Sequence, residues 1–138
     1  MTEVSYPGAG LGLPQAGSGA IAGMSRRVGA LVIDWLLCMA IVGAFISRQP
    51  GSLGNWTLLV FAVQDFLLTG LIGLTVGKRL AGIKVTRLDG RSAGVPGIGL
   101  HWALLRTLLL LTVIAPLLTD RDLRGLHDRA ANTAVVRL

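Results

Sequence analysis

Two stretches of about twenty largely apolar residues, with only a short polar turn between them, leave this chain few ways to fold. The first runs from about Val28 to Ser47 and the second from about Trp56 to Val76. Twenty helical residues at about 1.5 Å each reach roughly 30 Å, the thickness of a bilayer's hydrocarbon core. The intervening RQPGSLGN of residues 48–55 carries the Pro50-Gly51 pair, which reads as a breaker. The pattern predicts an antiparallel transmembrane hairpin, with Trp56 suited to the membrane–water boundary.

Composition agrees with that reading. Only 14% of the residues are charged, against about 25% in a typical soluble domain. With 138 residues the chain has room for one domain. Its net charge of +6 could suggest nucleic acid, but the basic residues flank apolar stretches, where they report topology instead. Nucleic acid is therefore not expected as a partner. Cys38 is the sole cysteine, so no disulfide framework or cysteine metal site is available within one chain. Residues 1–23, rich in glycine with scattered prolines, read as a flexible tail and lack the positive opening of a signal peptide.

Lys78, Arg79, Lys84, Arg87 and Arg91 make residues 77–97 the most basic loop. Together with Arg26 and Arg27 they place the N-terminus and this loop in the cytoplasm of a multi-pass cell-membrane protein, with Arg48 on the far side. Within the loop, residues 83–88 alternate apolar and polar before an Asp89-Gly90 turn signal, which predicts a short strand. The β-rich end of the chain, 133–138, can pair with it if both lie on the cytoplasmic side.

A third apolar segment covers 98–118. It is long enough to span, but it holds His101 and Arg106, and the 13 residues from there to Asp120 suit a re-entrant or interfacial helix better. Pro116 weakens its last turn. A simple crossing would also leave Arg121, Arg124, Arg129 and Arg137 outside. Both readings stay open. The expected fold is all-α, a transmembrane hairpin plus a third apolar helix, with a short cytoplasmic β pairing.

Ionisable residues sit where hydrocarbon disfavours them: Asp34 in the first span, Asp65 in the second, and His101 and Arg106 in the third segment. Each costs about 2.5–3.5 kcal/mol at a helix centre, so they should face one another or a wet cavity. Depth suggests an Asp34–Arg106 pair, with Arg27 snorkelling to the headgroups and Asp65 meeting His101 or Arg106, or standing protonated. Such pairs can lock helices together or relay protons and cations. His127-Asp128 reads as a surface or interface turn, because a metal site needs three or four suitably spaced ligands. Trp35 and Trp102 read as lipid or interface anchors. No nucleophile, P-loop or zinc-protease pattern occurs, so neither an enzyme nor a cofactor is expected.

Four blocks in order resemble the RDD family of membrane proteins, named for an arginine and two aspartates: RRVGALVID at 26–34, TVGKRLAGIKV at 75–85 with Asp89-Gly90, LLR at 104–106, and RGLHDR at 124–129 with Asn132-Thr133. The resemblance covers about residues 24–138 as one membrane domain. It marks Arg27 and Asp34 as signature residues, sets Arg106 at the entry of the third segment, and leaves Asp128 or Asp65 as the second aspartate. What it implies is a membrane protein with a proposed part in transport, including cation/proton exchange in some members. Two functions compete: a component of proton- or cation-linked transport built on Asp34, Asp65 and Arg106, or a non-enzymatic scaffold or accessory subunit that meets a partner protein or anionic lipid. Either predicts a homo-oligomer or a partner membrane protein within the bilayer.

Overall fold

The computed structural model describes residues 6–46, 49–89, 97–112 and 118–138. Helix α1 covers Met24–Ile41 and continues through a π-helical turn at Val42–Ile46. Helix α2 covers Pro50–Leu71, and a short α3 covers Val76–Leu80. Strand β1 (Ile83–Arg87) precedes helix α4 (Leu100–Leu110), helix α5 (Leu126–Ala130) and strand β2 (Thr133–Arg137).

The second long helix begins earlier and ends earlier than its hydropathy predicts. Pro50 occupies its first turn, where the missing N–H costs nothing and the fixed φ is already helical. The Pro-Gly pair therefore opens the helix instead of breaking the chain, and Trp56 lies inside it. At the other end Gly73 adopts a φ of 79°. Its N–H reaches back to the carbonyls of Leu68 and Thr69, a glycine stop that few other residues could make. The apolar run to Val76 is thus two helices, not one.

Within the third segment the described helix is short. Helix α4 has 11 residues, about 16 Å of rise, roughly half a hydrocarbon core. Residues 113–117 of the predicted segment, with Pro116, and the basic Arg91 lie outside the described residues. Among the described residues one helix, Met24–Ile46, is long and apolar enough to cross a membrane by length and composition.

The predicted strand pairing is present. β1 and β2 run antiparallel in a register that sets Ile83 against Arg137 and Val85 against Val135. The supposedly free tail is partly docked on this sheet. Gly19 and Ala22 donate to Arg137 and Val135, and Ala20 accepts from Arg137, while Ile21 packs on Ala134 and Val136. The ladder consumes backbone groups that β2 would otherwise leave unpaired at an edge, which is why a glycine-rich segment orders there.

The helices are inverted relative to a water-soluble bundle. Val28, Val32, Leu36 and Met39 of α1 are exposed, as are Leu59, Val63, Leu67 and Leu71 of α2 and Leu100, Leu104 and Leu108 of α4. These are helical stripes at three- and four-residue spacing. The opposite faces bury Asp34, Thr57, Asp65, Thr69, Arg106 and Thr107. Exposed apolar surface on that scale calls for lipid or a protein partner.

Helix α3 approaches α1 through Gly77, where an added Cβ would stand 2.2 Å from the Ala30 carbonyl oxygen and 2.8 Å from Asp34 Cγ. The first is helix backbone and the second is held by hydrogen bonds from Gln64, Thr75 and Gly77, so neither shifts cheaply. Gly77→Ala is expected to destabilise the fold by about 3 kcal/mol or more, read as a large drop in melting temperature of the detergent-solubilised protein. A change within error would show that the α1–α3 contact is looser than described.

Candidate functional site

The buried polar side chains form two adjoining constellations, and Arg106 links most of them. On α1, Arg27, Ala30, Asp34 and Cys38 lie along one face, which turns toward α3 and the C-terminal elements. Asp34 is not the partner of Arg106. Its Oδ1 accepts from the Gly77 N–H at 2.8 Å and from Gln64 Nε2 at 3.1 Å, and its Oδ2 accepts a short hydrogen bond from the Thr75 hydroxyl. Thr75 is the N-cap of α3 and also accepts from the Lys78 N–H at 3.3 Å. The aspartate therefore completes the cap of a neighbouring helix, where a negative charge meets unsatisfied N–H groups. Beyond it, Cys38 donates to Gln64 Oε1 at 3.1 Å.

The second constellation alternates in sign. Lys78 Nζ lies 2.6 Å from Asp65 Oδ1 and donates to Thr69 Oγ1 at 3.1 Å. Asp65 Oδ1 also accepts from Thr69 at 3.2 Å, and Oδ2 from Thr107 at 3.1 Å. Arg106 Nη1 stands 3.6 Å from Asp65 Oδ2, and Arg106 Nε donates to Asp128 Oδ1 at 3.1 Å. Arg27 Nη1 closes the series on Asp128 Oδ2 at 3.3 Å. The order is Lys78, Asp65, Arg106, Asp128, Arg27, so each carboxylate lies between two cations. Their side chains come from α3, α2, α4, α5 and α1 in turn.

Several expectations change here. Arg27 does not snorkel: its Nε and Nη2 donate to the carbonyls of Ala22 and Val135 at 3.0 and 3.4 Å, which pulls the guanidinium toward the sheet. Asp65 meets Arg106 as one reading had it, but not His101, which is exposed beside Trp102 with ring centroids 5.2 Å apart. His127-Asp128 is no surface turn, since both are buried on α5 and Asp128 is fully so. Asp128 had to be inside because two arginines converge on it. Trp35 lies against Phe61 at 5.8 Å, and Trp102 lies under the Arg87 guanidinium at 5.2 Å.

Sequence reasoning missed Lys78, counted only as a topology marker, and the hydroxyls of Thr69, Thr75 and Thr107. Two signals were available. A threonine four residues after Asp65 shares its helix face, and Thr75 stands three before Lys78 at the spacing of an N-cap.

A cavity of about 210 Å³ opens beside both constellations, with Arg27, Asp34, Lys78, Arg106 and His127 among the residues that line it. His127 Nε2 is 3.4 Å from Asp128 Oδ1. Burial pulls the imidazole pKa down to about 4, Arg106 and Arg27 add to that, and Asp128 and Asp65 oppose it. Burial raises the Asp128 carboxyl, but Arg106, His127 and Arg27 together outweigh it and leave the group below its ordinary value.

Both shifts have the same consequence for stability. A histidine held neutral in the fold protonates more readily when unfolded, so the folded state loses stability as pH falls from about 6.5 toward 4. The depressed aspartate extends the loss below the ordinary carboxylate range. The melting temperature is expected to fall between pH 7 and pH 5, with a slope of at most about 1.4 kcal/mol per pH unit from this histidine. His127→Gln should flatten that interval; an unchanged slope would mean that His127 titrates normally.

A family model described as the RDD family matches residues 21–132. Compared with curated proteins and with solved structures, the chain matches none of them. The matched range holds helices α1 to α5 and every member of both polar constellations. The chain belongs to the RDD family of membrane-associated proteins.

Proposed function

We propose that the chain is a non-enzymatic, multi-pass membrane module that serves as a scaffold or accessory subunit for another membrane protein or a second copy of itself. In this reading α1 and α2 cross the bilayer as a hairpin. Helix α4 dips in as a half-helix from the cytoplasmic side, where the sheet, α3 and α5 gather with Arg26, Lys84, Arg87 and Arg129. The stripes of exposed leucine and valine are its contact with lipid and partner helices.

One observation carries the scaffold reading: among the described residues every buried carboxylate oxygen is engaged. Both oxygens of Asp34, Asp65 and Asp128 have hydrogen-bond or ion-pair partners. A carboxylate that relays ions must exchange partners, whereas these are held by groups from several elements at once. Interlocked charges of this kind fix register between helices. A single feature favours the second reading, a component of proton- or cation-linked transport. Asp34 lines the cavity and makes no salt bridge among the described residues.

Everted membrane vesicles test both readings in one preparation. In a Cys38→Ala background, Leu138→Cys is expected to react with an impermeant maleimide without detergent, because the cytoplasmic face points outward. Protection until detergent is added would overturn the half-helix topology. Cation-induced proton movement that disappears in Asp34→Asn would replace the scaffold by the transport component.

A further inference from the structure

Helix α3 turns its charge inward and its leucine outward. The inner face buries Gly77 and Lys78, while Val76, Arg79 and Leu80 share the outer one at three- and four-residue spacing. Leu80 is 70% exposed and Val76 46%, and Ile72, the residue that caps the end of α2, is 47% exposed. These three side chains and Leu68 wall an open notch of about 390 Å³, and Arg79 is its charged lining. Thr75 also lines the notch, but its hydroxyl is spent on Asp34. The result is an apolar trough with one cation at its rim.

That cation is unmatched. Among the described residues Arg79, Arg26 and Lys84 form no ion pair, and all three are exposed. The carboxylates are committed elsewhere. Asp65 and Asp128 belong to the buried series, Asp89 holds Arg87, and Asp120 lies by Arg129. Asp34 accepts from the Gly77 N–H beneath α3, and Asp122 accepts from the Gly8 N–H. Arg26 stands at the C-terminal end of α3, where its Nη1 donates to the Ala81 carbonyl at 3.0 Å, and Lys84 follows on β1. Positive charge without a counter-ion therefore gathers around α3, on side chains that an anion can reach.

Exposed leucine, isoleucine and valine beside a free arginine, directly after a long apolar helix, suit the boundary between hydrocarbon and headgroups. We infer that the outer face of α3 and the end of α2 dock an anionic phospholipid of the cytoplasmic leaflet. Its acyl chain lies along Leu68, Ile72, Val76 and Leu80, and its phosphate meets Arg79, with Arg26 and Lys84 adding attraction from either side. The inference rests on the membrane-embedded reading above and gives it a lipid contact. A free phosphate meets only the cation; the apolar trough is what selects a lipid. Because α3 also carries Lys78 to Asp65 and Gly77 to Asp34, the docked lipid braces the element that joins the two constellations.

The test is thermal unfolding of the delipidated full chain in a neutral detergent, titrated with dihexanoyl phosphatidylglycerol, dihexanoyl phosphatidylcholine, or glycerol 3-phosphate. Phosphatidylglycerol is expected to raise the melting temperature by several degrees in a saturable way, with little effect from the other two. Arg79 and Leu80 are exposed and stand outside the ion network, so variants at either should fold normally without lipid. Arg79→Gln is expected to weaken the phosphatidylglycerol titration about fivefold, the equivalent of about 1 kcal/mol for one basic residue near an anionic surface. Leu80→Gln should weaken it as well, whereas Arg121→Gln, at an exposed arginine outside the trough, should leave it unchanged. No shift with phosphatidylglycerol, an equal shift with phosphatidylcholine, or an undiminished titration in both α3 variants would overturn the site. Equal weakening by Arg121→Gln would overturn it too, leaving only diffuse attraction. An equal shift with glycerol 3-phosphate would leave a free-anion site and overturn the lipid. If the lipid arms fail while Leu138→Cys still labels from the cytoplasmic face, only the docking inference falls. If the labelling fails, the topology beneath it falls as well.

Discussion

The fold depends on how a low-dielectric interior treats charge. An unpaired ion away from water is prohibitive, and even a good pair only roughly breaks even against well-packed apolar residues. Arg106 therefore cannot be buried alone, and neither can Asp65 or Asp128. The solution is an alternating series in which Arg106 on an 11-residue helix holds an aspartate from α2 with one edge and an aspartate from α5 with another. Lys78 and Arg27 close its ends. Because the five residues come from five elements, forming the series also settles where each element sits. Removal of one member would leave its neighbours uncompensated, at about 3–5 kcal/mol for a buried pair.

Asp34 does separate work at the α1–α3 junction. It binds the start of α3 through the Gly77 N–H and the Thr75 hydroxyl, and that junction tolerates no side chain at Gly77. Fixing α3 aims Lys78 at Asp65 and starts β1 three residues past the helix end. β1 then recruits β2, β2 recruits residues 19–22, and the same segment presents the Ala22 carbonyl to Arg27. The ends of the chain thus meet beside the charges, and a short two-stranded sheet becomes the clamp that brings α5 and its buried aspartate against Arg27 and Arg106.

Much of this was legible from residue order, and what was not has definite causes. Hydropathy located the apolar helices, alternation located β1, and charge within apolar runs located Asp34, Asp65 and Arg106. Hydropathy could not place helix ends, which are decided by backbone chemistry at Pro50 and Gly73. Pairing by depth failed for Asp34 because it treated the three apolar segments as parallel rods. Asp34 is taken up by the start of a short helix instead, and the Gly77 N–H and the Thr75 hydroxyl supply what a cation was expected to supply. Read from its neighbours alone, Asp128 looked like part of a surface or interface turn, as a His-Asp dipeptide in a polar tail does; only the family resemblance marked it as a candidate signature aspartate. Only the return of β2 onto β1 carries it inside, and that is a long-range event no local pattern encodes. Lys78 was hidden for the opposite reason, as one basic residue among many in the loop.

The central claim is that Arg106 and Asp128 act as coupled members of one series and not as separate buried charges. A double-mutant cycle measures this directly, with Arg106→Gln, Asp128→Asn and the double variant unfolded in the same detergent. Neighbours in a shared ion network couple by about 0.5–3 kcal/mol. The account predicts a coupling near the upper part of that range, with the double variant less destabilised than the sum of the two single changes. Additive effects, within about 0.5 kcal/mol, would contradict it and leave the two residues as independent neighbours.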